Sequence, residues 1–129
     1  MAGRYLLDTN IAIEVLRGDQ ALWERLRKER ELFMNVVVLG ELCFGAAKSD
    51  RREPNRARVS ELASRMTILS CDEETSFVYG EIKSRLKGKG RLIPTNDVWI
   101  AATAIQHELA LLTRDAHFDV VEGLERESW

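Results

Sequence analysis

Arg4-Tyr5-Leu6-Leu7-Asp8-Thr9-Asn10-Ile11 is the stretch on which the fold turns. The apolar run reads as a short strand, Arg4–Leu7, closed by Asp8. Thr9-Asn10 then turns the chain into a helix, Ile11–Leu16, with Gly18 as its stop. A strand running straight into a helix is the opening of a βα unit. The same alternation recurs along the chain. Asp19 caps a second helix with Leu22, Trp23 and Leu26 at helical spacing. Leu32–Val38, rich in β-branched residues, reads as a buried strand. Glu41–Lys48 reads as helix, Asp50–Asn55 as a polar break, Arg56–Arg65 as helix and Met66–Leu69 as strand. Asp72 caps the helix Glu73–Leu86, which Gly88-Lys89-Gly90 ends. Asp97–His107 reads as helix, Ala110–Thr113 as strand, and a last short strand is expected near Leu124. Short, wholly apolar strands alternating with helices predict an α/β fold: a central, mostly parallel sheet of about four to five strands flanked by helices.

The chain has 129 residues, the size of one domain, so residues 1–129 are read as a single unit. It is 45% hydrophobic and 31% charged, the balance of a soluble globular protein. No apolar run reaches the ~20 residues that span a bilayer. The N-terminus has too few apolar residues before Asp8 for a signal peptide, so a cytoplasmic location is expected. Cys43 and Cys71 read as free thiols without zinc-site spacing.

Four acids stand at comparable places in this pattern. Asp8 ends the first strand. Glu41 follows Val36-Val37-Val38-Leu39-Gly40 at the opening of a helix. Asp97 opens a helix, and Asp115 follows Leu111-Leu112-Thr113-Arg114. In open α/β sheets, ligands bind beyond the carboxyl ends of the strands, where these residues fall. Two carboxylates ~4 Å apart repel by roughly 4 kcal/mol at an effective dielectric of about 20. A fold keeps such a group only with a proton, a cation partner or a metal among them. A divalent-metal site is therefore the first functional hypothesis. Carboxylate oxygens without His or Cys suit Mg²⁺, with Mn²⁺ also possible. Helix N-termini beside Asp8 and Asp97 are expected to keep the carboxylates ionised. Thr9, Asn10 and Thr113 offer hydroxyls and an amide to orient them.

Each acid also has an ordinary reading. Asp8 and Asp97 suit helix caps, Glu41 a solvated first turn, and Asp115 a loop acid paired with Arg114 or His117. His107 and His117 read as surface or cap residues. The convergence of four acids on one rim of the sheet favours the metal site.

Net charge is -2, which does not advertise a nucleic-acid binder. The distribution does. Lys83, Arg85, Lys87, Lys89 and Arg91 fall in a stretch without acids, and Arg51, Arg52, Arg56 and Arg58 form a second basic cluster. Both are basic tracks suited to the phosphates of a nucleic acid; the alternative is a solvated helix face and loop.

At this point the chain resembles a known family. The carrying segments are Leu6-Leu7-Asp8-Thr9-Asn10-Ile11, Val38-Leu39-Gly40-Glu41-Leu42 with Gly45-Ala46, Asn96-Asp97-Val98-Trp99-Ile100-Ala101-Ala102-Thr103-Ala104, and Leu112-Thr113-Arg114-Asp115 with Phe118, closing on Val121-Glu122-Gly123-Leu124. In this order and spacing they resemble the PIN-domain nucleases, and most closely the VapC toxins of toxin–antitoxin pairs. The resemblance implies a PIN-like three-layer sandwich. It implies that Asp8, Glu41, Asp97 and Asp115 bind metal and that Thr9, Asn10 and Thr113 support them. The final acidic position varies in the family, and Asp119 is a second candidate for it. Asn35 stands where many relatives carry Ser or Thr. The implied activity is a Mg²⁺-dependent endoribonuclease in which one acid orients the attacking water. The implied partners are RNA, a cognate antitoxin and a second copy of the chain, with no membrane.

Other readings are weaker. A catalytically inactive PIN domain that binds RNA or protein would not need all four acids. A phosphatase of the haloacid dehalogenase type needs a second Asp where Asn10 stands. A receiver domain lacks its paired acids, and no G-x-G-x-x-G follows the first strand.

Overall fold

The computed structural model describes residues 3–129. Met1 and Ala2, which begin the stretch read as lacking a signal peptide, lie outside the described residues. The elements are β1 (Arg4–Leu7), α1 (Thr9–Leu16), α2 (Gln20–Leu26), β2 (Glu31–Asn35), α3 (Val36–Ala47), α4 (Arg52–Ser64), β3 (Thr67–Leu69), α5 (Glu73–Gly88), α6 (Thr95–Gln106), β4 (Ala110–Leu112), a 3₁₀ turn (Ala116–Val120) and β5 (Arg126–Glu127). The strands form one sheet in the order β3-β2-β1-β4-β5, and every pair is parallel.

Side chains alternate across the central strands, which makes three layers. Tyr5, Leu7, Leu32, Ala110 and Leu112 face one side, where Ile11, Leu22 and Leu26 cover them. Leu6, Phe33 and Leu111 face the other, against Val38, Leu42, Leu62, Leu86, Val98 and Ile100 from α3 to α6. Strands buried on both faces explain the unbroken apolar runs of the sequence. No helix among the described residues is long and apolar enough to cross a membrane. Cys43 and Cys71 are free thiols, the first exposed.

The strand order positions the site. From β1 the chain moves outward to β2 and β3, then returns to place β4 on the other flank of β1. The carboxyl ends of β1 and β4 therefore bound a topological switch point. The Asp8 amide donates to the Leu112 carbonyl at 3.0 Å, which ties the two strand ends together.

Among the boundaries that differ from the sequence reading, three have a clear physical cause. Val36, Val37 and Val38, expected to finish a strand, form the first turn of α3. The cause is Asn35. Its buried side chain accepts from the Val37 amide at 2.6 Å and donates to Thr103 Oγ1 at 2.7 Å. That cap starts the helix despite the weak helical preference of valine. Helix α4 begins inside the expected polar break, because Pro54 falls in the first turn, where its missing N–H costs no hydrogen bond. The last strand lies at Arg126–Glu127, beyond Leu124, after a turn at Gly123 with φ of 83°.

Candidate metal-binding active site

Asp8 sits at the N-cap position of α1 with extended backbone, yet its side chain makes no capping hydrogen bond. The ordinary cap reading fails here. The carboxylate is only 5% exposed and lies at the switch-point crevice. Its Oδ2 accepts from Thr113 Oγ1 at 2.7 Å and from Asn10 Nδ2 at 3.3 Å. Asn10 Nδ2 also donates to Thr113 Oγ1 at 3.1 Å, and its Oδ1 accepts from the Arg114 amide at 3.2 Å. Thr113 is fully buried. It thus receives from Asn10 and from the Asp115 amide (3.1 Å) while donating to Asp8.

Glu41 lies in the second turn of α3, one consequence of the early start of that helix. Thr9 Oγ1 donates to its Oε1 at 3.0 Å. Asp97 is the third residue of α6, not its cap; Pro94 holds that position. Asp115 caps the 3₁₀ turn by accepting from the His117 amide at 3.2 Å. Arg114 does not pair with it, and its Nε donates instead to the Trp129 carbonyl at 2.8 Å.

His117 departs from the surface or cap role expected of it. Its Nε2 lies 2.7 Å from Asp97 Oδ2 and its Nδ1 lies 2.7 Å from Asp115 Oδ1. The part with a local signal is the contact with Asp115, which shares a tight turn with His117; the approach to Asp97 is tertiary. His107, by contrast, is the C-cap of α6.

Electrostatics tie the four acids together. Burial pushes the Asp8 carboxyl above its ordinary range; the Thr113 hydroxyl and the Thr9 amide pull it down, and the charges of Asp97 and Asp115 push it up again. Glu41 is raised by burial and by the charges of Asp97 and Asp8, against its bond from Thr9. Asp97 is raised by burial and by Asp115, and held down by His117. The helix termini expected to favour the ionised forms do not set the direction of the shift: loss of solvent raises Asp8, Glu41 and Asp97 alike. Asp8, Glu41 and Asp97, each opposed by burial and by a neighbouring acid, form a set of oxygen donors suited to a divalent cation.

Asp119 points elsewhere. Its carboxylate takes a forked ion pair from Arg126, at 2.6 and 3.1 Å, and is 58% exposed. Of the basic candidates, Arg51, Arg52, Arg56 and Arg58 are exposed on and beside α4. Arg58 joins Arg17, which the sequence did not single out, in lining a groove of about 370 Å³ that Glu41 also lines. In the acid-free stretch Lys87 and Arg91 are exposed. Their neighbours are partly engaged: Lys83 lies against Tyr79, Arg85 reaches Glu81 at 3.9 Å and Lys89 pairs with Glu122 at 3.5 Å.

The family model of the PIN domain matches residues 5–124. The chain belongs to the PIN-domain family. Within it, the VapC proteins are close relatives. Ribonuclease VapC2 of Rickettsia felis is 32% identical over 97% of each chain. The tRNA(fMet)-specific endonuclease VapC of Shigella flexneri is 32% identical over 98% of each. The DNA-bound VapBC structure from Salmonella typhimurium matches with a TM-score of 0.94 at 28% identity, covering 98% of both chains. This PIN domain thus shares nearly its whole length with those proteins.

Proposed function

We propose that this PIN domain is a metal-dependent endoribonuclease, the toxin of a toxin–antitoxin pair. The observation that carries the reading is the convergence of Asp8, Glu41, Asp97 and Asp115, from four separate parts of the chain, on the crevice between β1 and β4. The names of the relatives, ribonuclease and tRNA endonuclease, point to RNA as the substrate.

Asp8, Glu41, Asp97 and Asp115 would hold Mg²⁺ or Mn²⁺. When bound, such an ion supplies Lewis acidity toward a phosphate and lowers the pKa of water. The protein side of the reaction is orientation. Thr113 and Asn10 fix Asp8, and Thr9 fixes Glu41, so the carboxylates meet their ligand without first reorganising. An acid of the cluster orients the attacking water. The arginines of α4, with Arg17, and the stretch Lys83 to Arg91 are the candidate contacts to RNA phosphates. The solved VapBC complexes of relatives support a protein antitoxin as partner, and a homodimer is proposed with it.

Purified protein should cleave RNA with Mg²⁺ and not with EDTA. Asp8→Asn or Asp97→Asn should lower the cleavage rate at least a hundredfold, the scale of a lost electrostatic catalytic group at about 2.7 kcal/mol. Variants that cut as fast as the parent would sink the proposal.

A further inference from the structure

We propose that His117 supplies a nitrogen ligand to the cation of this site, which thereby favours first-row transition ions such as Mn²⁺ over Mg²⁺. The proposal rests on the metal-dependent reading above and goes beyond it by adding a donor of a different chemical kind.

The geometry carries it. Asp97, Asp115 and His117 each offer a ligand atom, and the three atoms lie within 4.8 Å of one another, the one such grouping with a histidine among the described residues. The imidazole is held in place before any ion arrives. It stacks on the buried Phe118 with centroids 4.8 Å apart, and its own backbone amide is tied to Asp115. Its two nitrogens address different carboxylates. Asp115, whose charge also reaches Asp8, belongs to the same tight turn as the histidine, whereas Asp97 is the acid whose charge reaches both Asp8 and Glu41. The Asp97 side of the ring thus faces the site. A metal-bound imidazole commonly donates its second ring N–H to a carboxylate. Nδ1–H donating to Asp115 and Nε2 turned toward the cation reproduces that arrangement.

The consequence is selectivity. Mg²⁺ is hard, dehydrates reluctantly and suits oxygen donors alone. An imidazole nitrogen raises affinity for first-row transition ions relative to it. The competing role for His117 is that of a clamp, which holds Asp97 and Asp115 and leaves when the cation enters. Both roles fit the contacts of the ring, and only one puts nitrogen on the metal.

Pulsed EPR of the full chain loaded with Mn²⁺ separates them. The wild type should show ¹⁴N modulation that changes to the ¹⁵N pattern on histidine labelling and persists in His107→Gln. His117→Ala should still bind Mn²⁺ but lose the modulation. Its Mn²⁺/Mg²⁺ affinity ratio, from competition titration, should fall at least about tenfold, the scale of a lost supporting group in metal sites. Mn²⁺ bound to the wild type without histidine nitrogen coupling overturns the proposal and leaves the metal-dependent reading standing. Failure of Mn²⁺ to bind, or equal binding by Asp8→Asn, overturns both. The labelled wild-type spectrum decides the matter even if the alanine variant does not fold.

Discussion

Asp8 shows at the residue scale how function opposes stability. A carboxylate left 5% exposed among other acids costs free energy whenever it is charged. Asn at this position still accepts the Thr113 hydroxyl but carries no charge. The metal-free Asp8→Asn protein should therefore melt higher than the wild type at neutral pH, by about 4 °C for each ~1 kcal/mol relieved. The pH dependence follows from the direction of the shift. The folded carboxyl binds its proton more tightly than the unfolded one, so the wild type regains stability as pH falls through the raised folded value. The melting gap between variant and wild type should shrink toward the ordinary carboxylate range near ~4. Calorimetry of both proteins across that range checks it; a gap independent of pH would contradict the assignment.

Asn35 makes the corresponding case for an element. It ends β2, caps α3 through the Val37 amide and bonds Thr103 of α6, all within a fully buried side chain. Alanine there leaves a helix amide and a buried hydroxyl short of a partner. The expected loss is about 2 kcal/mol, read as a lower urea midpoint with an unchanged slope. Serine, with a hydroxyl able to cap, should recover part of it. The same element shows where local reading stops. Val36-Val37-Val38 has the composition of a strand, and its helical state is set by a cap whose second hydrogen bond is donated to a residue far along the chain. Nothing in the local pattern reports that contact. By contrast Asp19 and Asp72, whose capping partners are the Leu22 and Thr75 amides three residues on, were legible directly.

For the whole molecule, the switch point between β1 and β4 gathers the acids from distant parts of the chain, and a cation binding there stabilises the folded state by mass action. Adding Mg²⁺ or Mn²⁺ at about 100 times its dissociation constant should stabilise the wild type by about 2.7 kcal/mol. Asp8→Asn should show little of that rise. Thermal melts with and without EDTA test this, and equal responses from both proteins would refute it.

Residue order was enough to specify the alternation of strand and helix and to place Asp8 after the first strand and Asp115 after the fourth, whereas Glu41 lies a turn into α3 and Asp97 two residues into α6. It also announced Thr9, Asn10 and Thr113, which stand beside those acids in the chain. Folding in three dimensions was needed to turn Asp119 toward Arg126, to bring Asp97 to the histidine beside Asp115, and to raise the carboxyl groups of Asp8, Glu41 and Asp97 by burial. Those outcomes depend on distances through space and on the solvent that packing removes. Neither quantity is carried by the spacing of residues along the chain.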